Sequence, residues 1–194
     1  MNIVTENNLD RREQIVDAAY QCFLTYGYKR VSMDDIAVAA GLSRPALYNH
    51  FRNKAEIFRA CFTRLTGLVA ERAAEAADAG ETLHGSLVAL LMTGFIEPHR
   101  EFGQMPHGAE LLGLKSDLAA DLLADWFTVM ERHAARIIGR HAPSSSARPN
   151  PGPDEAARLL IHAIEGIKAR CTSVEDAERD MLAMVNLFVA ALEG

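Results

Sequence analysis

The chain has 194 residues, is 49% hydrophobic and carries a formal net charge of −6, which suits one large helical domain or a small one joined to a medium one. No run approaches the roughly 18 apolar residues that cross a membrane. The N-terminal M-N-I-V-T-E-N-N-L-D lacks the basic-then-apolar order of a secretory signal, so a cytoplasmic protein with no membrane partner is expected.

The three cysteines, Cys22, Cys61 and Cys171, lie far apart without a C-x-x-C pair and indicate neither a disulfide framework nor a zinc knuckle. They read as small buried apolar residues, with a redox-sensing thiol as the lesser alternative. The charge is unevenly spread. Residues 1–66 hold nine Lys/Arg against seven Asp/Glu, whereas residues 67–194 hold eleven against nineteen. An end of local positive charge can attract phosphate whatever the sum over the whole molecule.

In chain order the sequence reads as helices throughout, because no alternating Val/Ile/Thr runs with Asn-Gly turns occur. A first helix is expected from about Leu9 to Tyr26, with Ile15, Ala19, Cys22, Phe23 and Tyr26 on one apolar face and Gly27 as a left-handed stop. Ser32 and Asp35 have capping-box spacing for a second helix that turns Ile36 and Ala40 inward and ends at Gly41. Ser43 caps a third, in which Pro45 falls in the tolerant first turn and Leu47 and Phe51 anchor to the core. Asn53 and Glu56 form another box opening a helix from Lys54 toward Ala79, which Gly80 breaks.

A fifth helix spans Leu83 to Ile96 and must end near Pro98. Residues 98–113 read as irregular, with one short helix around Ala109 to Leu114. Ser116 is expected to cap a helix running to about Arg140, and Ala142 to Pro153 reads as a flexible linker by composition. Two helices follow, Asp154 to about Cys171 and, after a Ser173/Asp176 box, a terminal helix that is apolar on nearly all sides from Met181 to Leu192.

A small protein cannot bury the whole circumference of such a helix in its own core, so one face is expected against a partner. Leu159, His162, Ala163, Gly166 and Ile167 on the penultimate helix, with Met184, Leu187, Phe188 and Ala191 on the last, are the expected interface of a two-fold homodimer closing as a four-helix bundle. Ordinary core packing is the competing reading.

Two short helices around a glycine turn, the second carrying Arg44, Tyr48, Asn49 and His50, point to helix-turn-helix DNA binding. Tyr28 to Phe58, Y-K-R-V-S-M-D-D-I-A-V-A-A-G-L-S-R-P-A-L-Y-N-H-F-R-N-K-A-E-I-F, resembles the N-terminal domain of the TetR family of bacterial transcriptional regulators. The elements that carry the resemblance are S-M-D-D-I-A, the A-G-L-S turn, L-Y-x-H-F and N-K-x-E-I-F. The strong match covers residues 10–60, about a quarter of the chain.

The resemblance implies an all-α homodimer of about nine helices. Residues 1–53 would form a three-helix DNA-binding head, and residues 54–194 a helical effector-binding and dimerisation body. Most members of the family are repressors that release an operator when a small molecule binds, through a population shift between head spacings with the helix from Lys54 as lever. Pro45 and Ala46 replace more polar or glycine-containing pairs found in some members.

The expected DNA-binding set is Ser32, Met33, Ser43, Arg44, Pro45, Ala46, Tyr48, Asn49, His50 and Lys54. Arg44 suits guanine O6/N7, Pro45 and Ala46 offer apolar contact to a thymine methyl, and Asn49 reads adenine or holds phosphate. Tyr48 and His50 resemble the family's backbone contacts. Ser32, Ser43 and Lys54 sit at helix N-termini that favour phosphate. The plainer roles are capping for the two serines, packing for Tyr48 and a partly buried core position for His50.

Met92, Phe95, His99, Phe102, Met105, His107, Trp126, Phe127 and Met130 are the candidate effector pocket, set against the reading that they are packed core. His107/Glu110 and His162/Glu165 have i, i+3 spacing, but no third ligand is implied, so neither a metal nor any other cofactor is assigned. No G-x-S-x-G, phosphate loop, H-E-x-x-H or Cys/His dyad supports an enzyme. A ligand-independent chromosome-organising DNA binder is the other alternative.

Overall fold

A computed structural model describes residues 3–141 and 151–193. Among these residues every regular element is helical: α1 (Ile3–Tyr26), α2 (Met33–Ala39), α3 (Arg44–Tyr48), α4 (Lys54–Asp78), α5 (Leu83–Leu91), α6 (Glu97–Gly103), α7 (Gly108–Leu118), α8 (Ala120–His141), α9 (Pro153–Arg170) and α10 (Val174–Glu193). A π-helical turn over Met92–Ile96 joins α5 to α6 without a break, so the described elements form nine continuous rods. Most of the expected linker, residues 142–150, lies outside the described residues.

The chain forms two compact units. One comprises the segment up to Thr66 with Glu101–Leu123, and the other comprises Gly67–Arg100 with the chain from Ala124 onward. The first unit is built on Ile15, Ala19, Phe23, Ile36, Leu47, Phe51 and Ile57, all at most 1% exposed, with Phe102 and Leu111 closing the same core. Phe23, Tyr28 and Phe58 meet edge-on or tilted, with ring centroids 5.3–6.3 Å apart.

The second unit buries one row from each long helix. Trp126, Met130, Ala134 and Ile137 of α8 repeat at helical spacing and are buried, as are Leu160, Ile161 and Ile164 of α9 and Met181, Val185 and Val189 of α10. Its one fully buried polar side chain among the described residues, Ser86, donates to Gly80 O at 3.2 Å and accepts from Arg140 Nη2 at 3.2 Å. The hydroxyl is therefore satisfied rather than stranded.

Several helix boundaries differ from the sequence expectation. α1 begins at Ile3 instead of Leu9, through a polar stretch without apolar periodicity. The helix from Leu83 does not stop near Pro98. The Glu97 N–H bonds to Met92 O, five residues back, so Pro98 becomes the second residue of α6. There the ladder is returning to i−4 bonding, and a missing N–H is tolerated as in a first turn.

Residues 98–113 are accordingly mostly helical, with turns only between Gly103 and Gly108. Ser116 lies inside α7, and the next helix starts at Ala120. Asn53 accepts from the Glu56 N–H at 2.8 Å, but Glu56 reaches back to the Arg52 N–H at 2.8 Å, so the expected box is displaced by one residue.

Candidate nucleic-acid interface

The turn between α2 and α3 is set by local chemistry. Ser32 Oγ accepts from the Asp35 N–H at 3.2 Å, while Asp35 Oδ2 accepts from the Ser32 N–H at 2.8 Å, a complete capping box. Bonding from Ser32 also holds the Asp35 carboxyl below its ordinary pKa. At the other end, Gly41 has φ +66, Leu42 N–H reaches Ala37 O at 2.8 Å and Gly41 N–H reaches Val38 O at 3.1 Å. This is a Schellman stop, and it requires a residue at ease in the left-handed region.

Ser43 Oγ then accepts from the Ala46 N–H at 3.3 Å, and Pro45 sits in the first turn of α3. The five residues of α3 are too few to be stable alone. Leu47 and Phe51, at 0% and 1% exposure, fasten them to the core. From α1, the Arg12 guanidinium lies 4.1 Å from the Phe51 ring centre and donates to His50 O at 2.6 Å, pinning the end of α3. Arg12 had no sequence signal marking it for this role.

This anchoring leaves Ser32, Ser43, Arg44, Pro45, Tyr48 and Asn49 exposed, while Met33, Ala46, His50 and Lys54 are half-buried. Arg44 Nη1 meets Asp34 Oδ2 at 3.0 Å and its guanidinium lies 5.7 Å from the Tyr48 ring centre. Asp34 is ten residues away in the chain, and no local motif pairs the two.

Lys54 is placed differently from a surface phosphate grip. Its Nζ donates to Tyr28 O and Val31 O, each at 2.6 Å, and lies 4.3 Å from the Tyr28 ring centre. Burial lowers its pKa, with Glu110 and Asp35 opposing. Glu110 of α7 completes the clamp. Its Oε1 accepts from the Lys29 N–H at 2.9 Å, and its Oε2 is 3.7 Å from His107 Nδ1. Gly27 has φ +83, and a Cβ there would come within 2.6 Å of Glu110 Oε2. Carboxylate and ammonium together hold the 27–31 turn that leads into α2.

Residues 15–61 match the model for bacterial regulatory proteins of the tetR family. Over that quarter of its length the chain is similar to TetR-family regulators. A putative TetR-family regulator from Mesorhizobium loti shares the chain's all-helical fold with a TM-score of 0.65, at 20% identity over 95% of this chain and 97% of that one. A 28% identity with the HTH-type transcriptional repressor Rv1474c of Mycobacterium tuberculosis extends over 91% of this chain and 90% of that one. The nucleoid occlusion factor SlmA of Marinomonas is 27% identical over 81% of this chain and 80% of its own length.

The match to the uncharacterized regulator YhgD of Bacillus subtilis, 34% identical, takes in 43% of this chain and just 46% of that protein. Among solved structures, SmeT, the repressor of the Stenotrophomonas maltophilia multidrug efflux pump SmeDEF, shares the fold with a TM-score of 0.61, at 23% identity over 93% of this chain and 89% of its own.

The residues expected to line an effector pocket divide between the two units. Phe102, Met105 and His107 belong to the first unit, with Phe102 buried in its core and Met105 packed against that core. In the second unit Phe95, Trp126 and Met130 are buried, and Phe95 meets Trp126 edge-on at 5.9 Å and stacks on Phe127 at 6.0 Å. These residues, flanked by half-buried Met92, form packed core. Of the expected set, Phe95 and His99 border an open cleft whose other wall is the α9–α10 corner. That wall lies some seventy positions further along the chain, with no local signal to announce it.

On α9 and α10, all nine residues expected at an interface are exposed or half-buried, on faces turned away from the buried rows. Leu159 is 47% and Leu187 70% exposed, and a Cβ on Gly166 would meet nothing within 4 Å. His162 lies 3.6 Å from Glu131. No group of three or more His, Cys, Asp or Glu side chains gathers as a metal site, and no helix is long and apolar enough to cross a membrane, among the described residues.

Proposed function

We propose that the chain is a homodimeric cytoplasmic repressor that binds a palindromic operator through two heads (residues 1–53) and is released when a small molecule binds its body (residues 54–194). The observation that carries the DNA reading is the exposed strip Ser43, Arg44, Pro45, Tyr48 and Asn49, backed by the fully buried Leu47. Arg44 reads a guanine, and Pro45 with the half-buried Ala46 offers apolar contact. Ser32, Ser43, Tyr48, Asn49 and His50 hold the backbone, with Met33 beside them.

Lys54 contributes by fixing the 27–31 turn, since its ammonium is already bonded to two carbonyls. One head reads few base pairs, so specificity depends on two heads at a set separation, with half-sites centred about 34–36 Å apart or a multiple of that spacing. The outward apolar positions of α9 and α10 are the natural seam for the dimer.

Repression is favoured by the near full-length similarity to a named repressor. The similarity to a nucleoid occlusion factor keeps a second reading in view, a chromosome-organising binder with no ligand response. Selecting DNA from a random pool and repeating the binding with a metabolite library separates them. A single palindromic motif whose binding a ligand weakens supports the repressor, whereas many sites and no ligand effect support the second reading.

A further inference from the structure

The stretch from Lys29 to Arg64 carries seven Lys/Arg, and they differ in what they already hold. Arg44 pairs with Asp34, Arg59 with Asp121 and Arg64 with Asp17. Lys54, expected to grip phosphate, spends its ammonium on Tyr28 O and Val31 O. Lys29, Arg30 and Arg52 are exposed and enter no ion pair among the described residues. A cation in that state gives up little on meeting a phosphate, and the contact releases a condensed counterion from the duplex.

The backbone at these positions is held even though the side chains are not. Lys29 N–H donates to Glu110 Oε1 at 2.9 Å, and Lys54 bonds the carbonyls of the residues on either side of the Lys29–Arg30 pair. Arg52 N–H donates to Glu56 Oε2 at 2.8 Å. The carboxylates of Glu110 and Asp35 both attract the half-buried Lys54 ammonium, and Ser32 bonds Asp35 through its N–H and its hydroxyl. Most of the negative charge near the Lys29–Arg30 pair is thereby engaged within the head.

The fold places the three cations beside the reading strip. In a helix-turn-helix the second helix brings its N-terminal residues to base edges while the first crosses the sugar–phosphate backbone. Arg44 opens α3, and Asp34 in the first turn of α2 meets it at 3.0 Å. The start of α2 therefore lies next to the reading end of α3. Arg30 and Lys29 precede Ser32, the cap of α2, by two and three residues, a reach of at most about 7–11 Å. Arg52 follows the exposed Asn49 by three residues.

We infer that Lys29, Arg30 and Arg52 grip the phosphates of the DNA backbone before α2 and after α3, and supply the sequence-independent affinity that the occupied ammonium of Lys54 does not. The inference rests on the proposed DNA binding and names further contacts for it.

The full-length protein is titrated by fluorescence anisotropy against a DNA it selects and an unrelated duplex of equal length, between about 50 and 200 mM salt. Lys29→Gln, Arg30→Gln and Arg52→Gln each lower the slope of log affinity against log salt by about 0.9 per head, and the triple variant by about 2.7 per head, on both duplexes alike. Tm stays within about 2 °C of wild type, since the changed side chains are exposed. The triple variant Lys29→Arg, Arg30→Lys and Arg52→Lys, which keeps the charges, keeps the slope.

An unchanged slope in the triple glutamine variant, a loss confined to the selected DNA, or an equal loss in the charge-keeping variant overturns the inference. Wild-type binding to both duplexes with an unchanged triple glutamine variant refutes these contacts alone. A wild type that binds neither duplex refutes the DNA reading and this inference with it.

Discussion

The Arg44 guanidinium is held by the Asp34 carboxylate at 3.0 Å across the α2–α3 turn, on the face the head turns to solvent. Both side chains are more than half exposed, so the pair adds little to stability. Its effect is on recognition. To reach a base edge, Arg44 must leave Asp34 or carry it toward the phosphates, and either opposes binding to DNA without a matching guanine. Asp34→Asn is expected to leave Tm unchanged within about 2 °C. Gel-shift titrations should show tighter binding to all sequences and a smaller ratio of operator to non-specific affinity. A variant with an unchanged ratio would show that Asp34 has no part in selectivity.

The 27–31 turn is expected to be the sensitive point of the head. Gly27→Ala places a side chain at φ +83 within 2.6 Å of Glu110 Oε2, costing about 1–2 kcal/mol from the left-handed backbone alone. Glu110→Ala removes the shortest contact but also the Lys29 bond, so Gly27→Ala is compared in the wild-type and the Glu110→Ala backgrounds, where it should cost less in the second but still carry the backbone strain. Urea midpoints for the single and double variants measure this. No cost in the Glu110→Ala background would mean the φ requirement is unimportant.

The acid limb of stability should report Asp121. Arg59 donates to both of its oxygens at 2.6 Å and also to Leu118 O at 3.0 Å, tying α4 to the α7–α8 junction. This bonding from Arg59 lowers the Asp121 pKa from 3.8 to about 2. A carboxyl with a depressed folded-state pKa stabilises above its unfolded value and loses that contribution as pH falls toward the folded one. The Tm gap between wild type and Asp121→Asn should be constant above about pH 5 and shrink between about pH 4 and pH 2. A gap independent of pH contradicts the assignment.

How much of this was legible depended on the range of the interaction. Ser32 with Asp35, Gly41, and Ser43 with Ala46 act within three or four residues, so the turn and both short helices could be read from the chain. Pro98 does not end the helix because the π turn before it shifts the hydrogen-bond register, a change with no residue signature. Ser116 has the chemistry of a cap but falls inside α7. Arg12 on His50, Glu110 on Lys29 and Lys168 over Phe95 span 38, 81 and 73 positions and exist only once helices are packed.

Dimer formation is tested at Leu187, which is 70% exposed on α10. Leu187→Glu places a charge on the proposed seam without touching the buried row of Met181, Val185 and Val189. Sedimentation should show a monomer with wild-type helical content, binding an isolated half-site but not the paired operator. A persistent dimer would move the seam elsewhere.

Arg44 reads sequence, with apolar contact from Pro45 and Ala46 beside it, while the rest of α3 caps, packs or grips phosphate. The most direct measurement is fluorescence anisotropy of wild type and Arg44→Ala on a selected operator and on single-base-pair variants, at two salt concentrations. Arg44→Ala is expected to weaken operator binding by roughly 10- to 100-fold, relax preference at one base pair in each half-site and leave the other positions discriminated as before. A uniform loss on every sequence, with no position relaxed, would make Arg44 a phosphate contact and contradict it.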